Sequence, residues 1–146
     1  MVRKVGLTPA GLISPAIFEA GEKVGIDLVE IPTGQRHRLA TRKVDDEPPR
    51  RAELETQHWR FDPSALTWGN EALSRGALAS TEMLILDELG PLELLENRGL
   101  TAGIDLVDKR KYQLAVVVIR PALLSTAQLR WPWAKALQLQ SSAATL

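Results

Sequence analysis

Apolar runs and the breaks between them divide the chain into a strand-rich first part and a later strand–helix–strand unit. In "AGLISPAIFEAGEKVGIDLVEIPTG", Val24, Ile26 and Leu28 alternate loosely with Lys23, Asp27 and Glu30, which predicts extended backbone. Two runs, Leu12 to Glu19 and Lys23 to Ile31, meet at Ala20-Gly21, and Pro32-Thr33-Gly34 closes the second, so a β-hairpin is expected. Residues 41–58 are charge-dense, proline-broken and poor in aliphatics, and they read as an exposed loop.

"FDPSALTWGNEALSRGALAS" opens with Asp62 as N-cap and Pro63 at the first helical position. Leu66, Gly69, Leu73 and Ala77 then share one face of a helix that two glycines weaken. "MLIL" from Met83 and "QLAVVVI" from Gln113 are continuous apolar runs that suit strands covered on both faces. Between them Leu100, Ile104 and Val107 have helical spacing, so the stretch is a βαβ unit and the expected class is α/β. The tail from Leu123 to Leu139 is expected to be helical around Ala134 to Leu139, with Pro132 interrupting it, and residues 141–146 read as a frayed tail.

With 45% hydrophobic and 25% charged residues, 146 residues suit a single domain with its own core. Eighteen basic against eighteen acidic residues cancel, so no global field favours nucleic acid or an anionic membrane, and neither is an expected partner. The absence of cysteine excludes disulfides, thiolate nucleophiles and cysteine zinc sites, and it fits a cytoplasmic location. No apolar run approaches the roughly 20 residues of a membrane helix. Glycine and proline recur through the first residues, so no signal peptide is read there.

The candidate chemistry lies in "MLILDELGPLEL", residues 83–94. Ligands of a parallel sheet collect outside the carboxyl ends of its strands, where Asp87 and Glu88 would sit, their side chains pointing to opposite sides. In phosphate-transferring proteins an aspartate in this place holds magnesium, and a following glutamate can activate the attacking water. A strand that merely stops at solvent has the same pattern, so the acids alone leave both readings open. Gly90-Pro91 turns the chain so that Glu93 returns a third carboxylate to this end, and Arg120, ending "LAVVVIR", is placed to reach a phosphate there. Either residue also suits an ordinary surface position.

A phosphate cradle of the form G-x-x-x-x-G-K-[ST] is not found in residues 1–146, and none of the six lysines is followed by Ser or Thr. Gly6 and Gly11 have the glycine spacing but are followed by Leu12 and Ile13, so they read as turn residues. His37 and His58 lack a second ligand at helical spacing and read as solvated loop residues. Trp59, Trp68, Trp131 and Trp133 read as packing residues, since no basic groove surrounds them in the sequence.

Two blocks together resemble the small P-loop nucleoside-triphosphatases of the thermophile and human cancer-related type. One is the hairpin "GLISPAIFEAGEKVGIDLVEIPTGQRHRLA", with Gly21, Lys23, Gly25 and Ile26 in the family's pattern; the other is "LILDELGPLEL", similar to its Walker B signature Asp-Glu-x-Gly-x-x-Glu. The resemblance spans about residues 6–121. It implies a RecA-like, mainly parallel sheet with helices on both faces, and slow magnesium-dependent hydrolysis of ATP, GTP and other nucleoside triphosphates. It also implies roles, Asp87 on the metal and Glu88 as general base; the reading of the strand ends adds Glu93 as a cofactor-side residue and Arg120 as a catalytic one to complete the half-site.

Such proteins begin with a strand, a phosphate-binding loop and a helix, and the resemblance begins after them. The expectation is therefore a truncated domain, from a shortened gene, a misassigned start at Met1 or a real departure, that hydrolyses nucleotides poorly or not at all. The family's first strand is expected beside the Walker B strand, and its loss would leave an apolar edge open to self-association or a partner's strand. Ala16 and Phe18 stand where the family often has an acidic and a basic residue, so no substrate contact of the hairpin carries over.

Overall fold

In the computed structural model the described residues are 6–44, 48, 54–75 and 81–140. Ala20 and Gly21 both take positive φ, 49° and 79°, as a two-residue hairpin turn requires. They join β2 (Ala16–Glu19) to β3 (Glu22–Glu30), with Glu19 opposite Glu22. The run expected from Leu12 to Glu19 is two strands, because Ser14-Pro15 interrupts it. β1 (Pro9–Ile13) lies antiparallel to the far end of β3, with Leu12 opposite Glu30.

β4 (Arg36–Arg42) returns along β3. β6 (Trp59–Phe61) pairs with β4, and β5 (Leu54–Glu55) pairs with β6. The exposed loop expected over 41–58 is therefore part sheet at both ends. Glu55 accounts for this: it accepts Lys43 at 2.8 Å and Arg60 at 3.0 Å, so the local charge is spent in ion pairs across the strands. Residues 45–47 and 49–53 lie outside the described ones.

Helix α1 (Pro63–Ser74) starts where the sequence predicts, with the Asp62 carboxylate accepting the Ser64 amide at 2.8 Å. Gly69 weakens the helix but allows its docking, since a Cβ there would come within 2.7 Å of Leu28 Cδ2 and 2.8 Å of Leu100 Cδ2. Ala77 falls outside the described residues. β7 (Thr81–Asp87), a single turn α2 (Pro91–Leu94), α3 (Thr101–Lys109) and β8 (Tyr112–Val118) form the βαβ unit.

The strands form one open sheet in the order β5-β6-β4-β3-β1-β7-β8, with β2 paired to β3. The α/β class holds, but the sheet is mixed rather than mainly parallel. β1, β7 and β8 run parallel, and the hairpin half is antiparallel because tight turns connect it. Leu12, Leu28, Leu73, Leu84, Leu86 and Leu89, each at most 1% exposed, fill the layer between this sheet and α1 and α3. On the opposite face Leu114, Val116 and Val118 of β8 remain 41–44% exposed, so the helical cover expected on both faces is incomplete at this edge.

The open edge is also not where it was expected. β7, which carries Asp87, is interior, paired in parallel to β1 on one side and β8 on the other; among the described residues β8 is the outermost strand on this side of the sheet. At the C-terminal side a short 3₁₀ turn leads into α4 (Leu124–Arg130), and the helix expected at Ala134 to Leu139 is absent. Trp131 precedes a proline and leaves helical geometry at φ −121°, ψ 68°. Leu137 and Leu139 are 78% and 92% exposed, so that stretch has no surface against which to fold. Residues 141–146 lie outside the described ones.

Candidate functional site

The interior position of β7 delivers Asp87 to the carboxyl edge of the parallel strands. Its Oδ2 accepts the Ser14 amide at 3.3 Å, just past the end of β1, and Oδ1 has no hydrogen-bond partner among the described residues. The next strand brings Arg120 to the same edge, where its Nε donates to Glu88 Oε1 at 2.6 Å. Leu89 N donates to Val118 O at 3.1 Å and the Leu89 side chain is 1% exposed, so the chain just past the acids is anchored to β8 and the core.

Asp87, Glu88 and Arg120 thus come together. Glu93 lies in the same loop but spends its carboxylate on the backbone. Its Oε2 accepts the Gly90 amide at 2.9 Å and its Oε1 the Leu100 amide at 3.0 Å, which locks the turn after β7 to the start of α3. Gly99 makes this possible: it has φ 71°, and a Cβ there would sit 2.5 Å from Glu93 Oε1. Sequence reading missed Ser14 and Leu100 because their contacts are backbone amides brought in by the fold, and Gly99 because it serves by leaving room for the Glu93 carboxylate. The only signal was glycine at positions 90 and 99, bracketing an acid.

Among the described residues no group of three or more histidine, cysteine or acidic side chains is placed to hold a metal ion. A lone aspartate with one uncommitted oxygen still fits magnesium, which uses one or two carboxylates and takes its remaining ligands from water and substrate phosphates. The Arg120 guanidinium has no further partner among the described residues, which leaves its Nη groups able to donate to an anion.

The remaining candidates lie elsewhere. His37 is exposed as expected but sits on β4 rather than a loop, its ring 4.3 Å from that of Trp68. His58 is an exposed bend residue. Trp131 is buried at 3% exposure, whereas Trp133 is 43% exposed beside Arg110. None of the helices among the described residues is long and apolar enough to cross a membrane.

Comparison with known proteins identifies the family and the fold. The chain is 33% identical over 93 residues to nucleoside-triphosphatase THEP1 of Ignicoccus hospitalis, covering 64% of this chain and 48% of that protein. It is 29% identical over 121 residues to nucleoside-triphosphatase THEP1 of Methanothermobacter thermautotrophicus, covering 83% of this chain and 65% of that one. The chain therefore spans about half to two thirds of the length of the curated relatives it matches. The fold matches the solution structure of a human cancer-related nucleoside triphosphatase with a TM-score of 0.61, at 17% identity, over 88% of this chain and 72% of that one. The NTPase family model matches residues 1–136, nearly the whole of this fold with the Asp87 edge inside it, and the chain belongs to that P-loop nucleoside-triphosphatase family.

Proposed function

We propose that the chain carries the metal-binding and water-activating half of a nucleoside-triphosphate phosphohydrolase site. The observation that supports this reading is the meeting of Asp87, Glu88 and Arg120 at the carboxyl ends of two adjacent parallel strands. The substrate class is ATP, GTP and other nucleoside triphosphates. Asp87 is the residue to hold Mg²⁺, which, when bound with nucleotide, neutralises charge on the phosphates.

Glu88 accepts a proton from a water whose oxygen attacks the terminal phosphorus; the bond to the bridging oxygen breaks, and the nucleoside diphosphate and inorganic phosphate leave. Arg120 donates its Nη groups to phosphate oxygens, and that engagement draws it off Glu88 and frees the base. Glu93 holds the loop in place rather than touching nucleotide. The absence of cysteine fits the cytoplasmic location that goes with this reading.

Residues 1–146 include no G-x-x-x-x-G-K-[ST] cradle, whose amides and lysine supply on the order of several kcal/mol of positioning and charge stabilisation. Hydrolysis by this chain alone therefore stays at background, although magnesium-dependent nucleotide binding is retained weakly. Titration calorimetry with ATP and GTP, with and without Mg²⁺, tests the assignment: Asp87→Asn removes the metal dependence. Affinity indifferent to both would sink it, and turnover abolished by Glu88→Gln would overturn the inactivity.

The β8 edge favours a second reading, an interaction module completed by a strand from a partner or a second copy. Among the described residues β8 has one neighbouring strand, and it presents Leu114, Val116 and Val118. Sedimentation of wild type and Val116→Lys decides it: concentration-dependent association that the lysine abolishes supports this reading, and a wild-type monomer at high concentration removes it.

A further inference from the structure

Past its pairing with β1, where Ile13 lies opposite Val29, β3 runs on toward Glu22 beyond the carboxyl end of β7. This overhang carries Lys23 to roughly 20 Å beyond Val29 along the strand, on the same end of the sheet as Asp87 but well apart from it. There the end of β4 and the start of β6 add Arg42 and Trp59, which face each other across the strand pair, and His58 precedes them. Lys23, Arg42, His58 and Trp59 line a shallow recess of about 330 Å³. The Lys23 ammonium stands 5.0 Å over the Trp59 ring.

The electrostatics of this recess differ from those of the strands around it. Arg36, Arg38, Lys43 and Arg60 each lie 2.6–3.0 Å from the carboxylate of Asp27 or Glu55. Arg42 has only a 3.6 Å contact to Glu22, with side chains 55% and 77% exposed. Lys23 and His58 have no acidic partner among the described residues. A chain of zero net charge thus gathers weakly compensated cations around one aromatic ring.

We propose that this recess binds a nucleotide unit, an aromatic base joined to a phosphate. The base lies on the Trp59 ring in place of the Lys23 ammonium, which moves with Arg42 onto the phosphate; every base has a π-face suited to such a platform, and cations track the backbone. The site is separate from the Asp87 edge. The shared chemistry has two sources, a free mononucleotide and a single-stranded nucleic acid.

The test is binding of thymidine monophosphate, inorganic phosphate and a short fluorescein-labelled oligothymidylate to the whole chain at low salt. It is followed by fluorescence anisotropy and by the amide signals of Lys23, Arg42 and Trp59. Both nucleotide ligands are expected to move those signals. Lys23→Glu with Arg42→Glu weakens binding at least tenfold, Trp59→Leu weakens it several-fold while keeping an apolar side chain there, and the exposed control Lys135→Glu leaves it unchanged. Oligonucleotide bound more tightly than mononucleotide identifies single strands as the source, and equal affinity identifies the free nucleotide. No binding, binding unaffected by the charge reversals, or inorganic phosphate competing as well as thymidine monophosphate would each overturn the proposal.

Discussion

Arg120 Nε lies 2.6 Å from Glu88 Oε1, tying the end of β8 to the residue that follows β7. Their side chains are 58% and 35% exposed, and such pairs contribute at most about 1 kcal/mol because water screens them. Arg120→Ala is accordingly expected to cost less than about 1 kcal/mol in urea unfolding. It should nonetheless weaken magnesium–nucleotide binding about tenfold, the equivalent of roughly 1.4 kcal/mol. A stability loss above about 2 kcal/mol with unchanged nucleotide affinity would make the pair purely structural.

Glu93 is predicted to matter for stability through two charge-assisted hydrogen bonds. Glu93→Ala should cost about 2–4 kcal/mol, since it strands the Gly90 and Leu100 amides, and Glu93→Gln should cost less because it keeps an acceptor. Faster hydrogen exchange at those two amides is the specific readout. Unaltered exchange in Glu93→Ala would show that the carboxylate does not hold the loop.

Gly11 allows β1 to lie flat against β7. It has φ 126°, and a Cβ there would fall 1.9 Å from the Ile85 carbonyl oxygen, a backbone atom that cannot move aside. Gly11→Ala is expected to destabilise by about 3 kcal/mol or more, measured by denaturant unfolding. A change under about 1 kcal/mol would contradict the close approach.

Asp108 sets a prediction for acid stability. Burial alone would raise its pKa, but hydrogen bonds from Arg130 and Trp131 and the Arg130 charge outweigh it and hold the carboxyl below its ordinary range. A group lowered on folding stabilises fully above its unfolded value of about 3.9, and that contribution is lost as pH falls through the lower folded value. Below about pH 4 the wild type should therefore lose stability more steeply than Asp108→Asn. Thermal melts across that range check it, with the Trp131 indole, 2.8 Å from Asp108 Oδ1, as a local fluorescence probe. Parallel curves would discard the linkage.

The hairpin turn, the start of α1, the βαβ unit and the placement of Asp87 at a strand end were all legible in the sequence. Each depends on neighbours within a few residues: positive-φ turn residues, Asp62 before Pro63, and apolar runs with fixed periods. The helix expected after Pro132 failed for an equally physical reason. Its apolar residues had helical spacing, but Leu137 and Leu139 are left exposed among the described residues, and the helix formed before the proline, where Ala127 and the following Trp131 reach the core.

The sequence by itself determined the β2–β3 hairpin, the start of α1, the βαβ unit, the α/β class and the identity of the acids and arginine at the candidate site, because those follow from short-range periodicity and side-chain chemistry. Only the tertiary structure decided that β1 separates β3 from β7, that β8 rather than β7 forms the open edge, and that Glu93 serves the backbone. It also decided that Lys23, Arg42 and Trp59 share a recess. These outcomes depend on which strand surfaces remain unpaired once the local elements have formed, and no spacing along the chain encodes that competition.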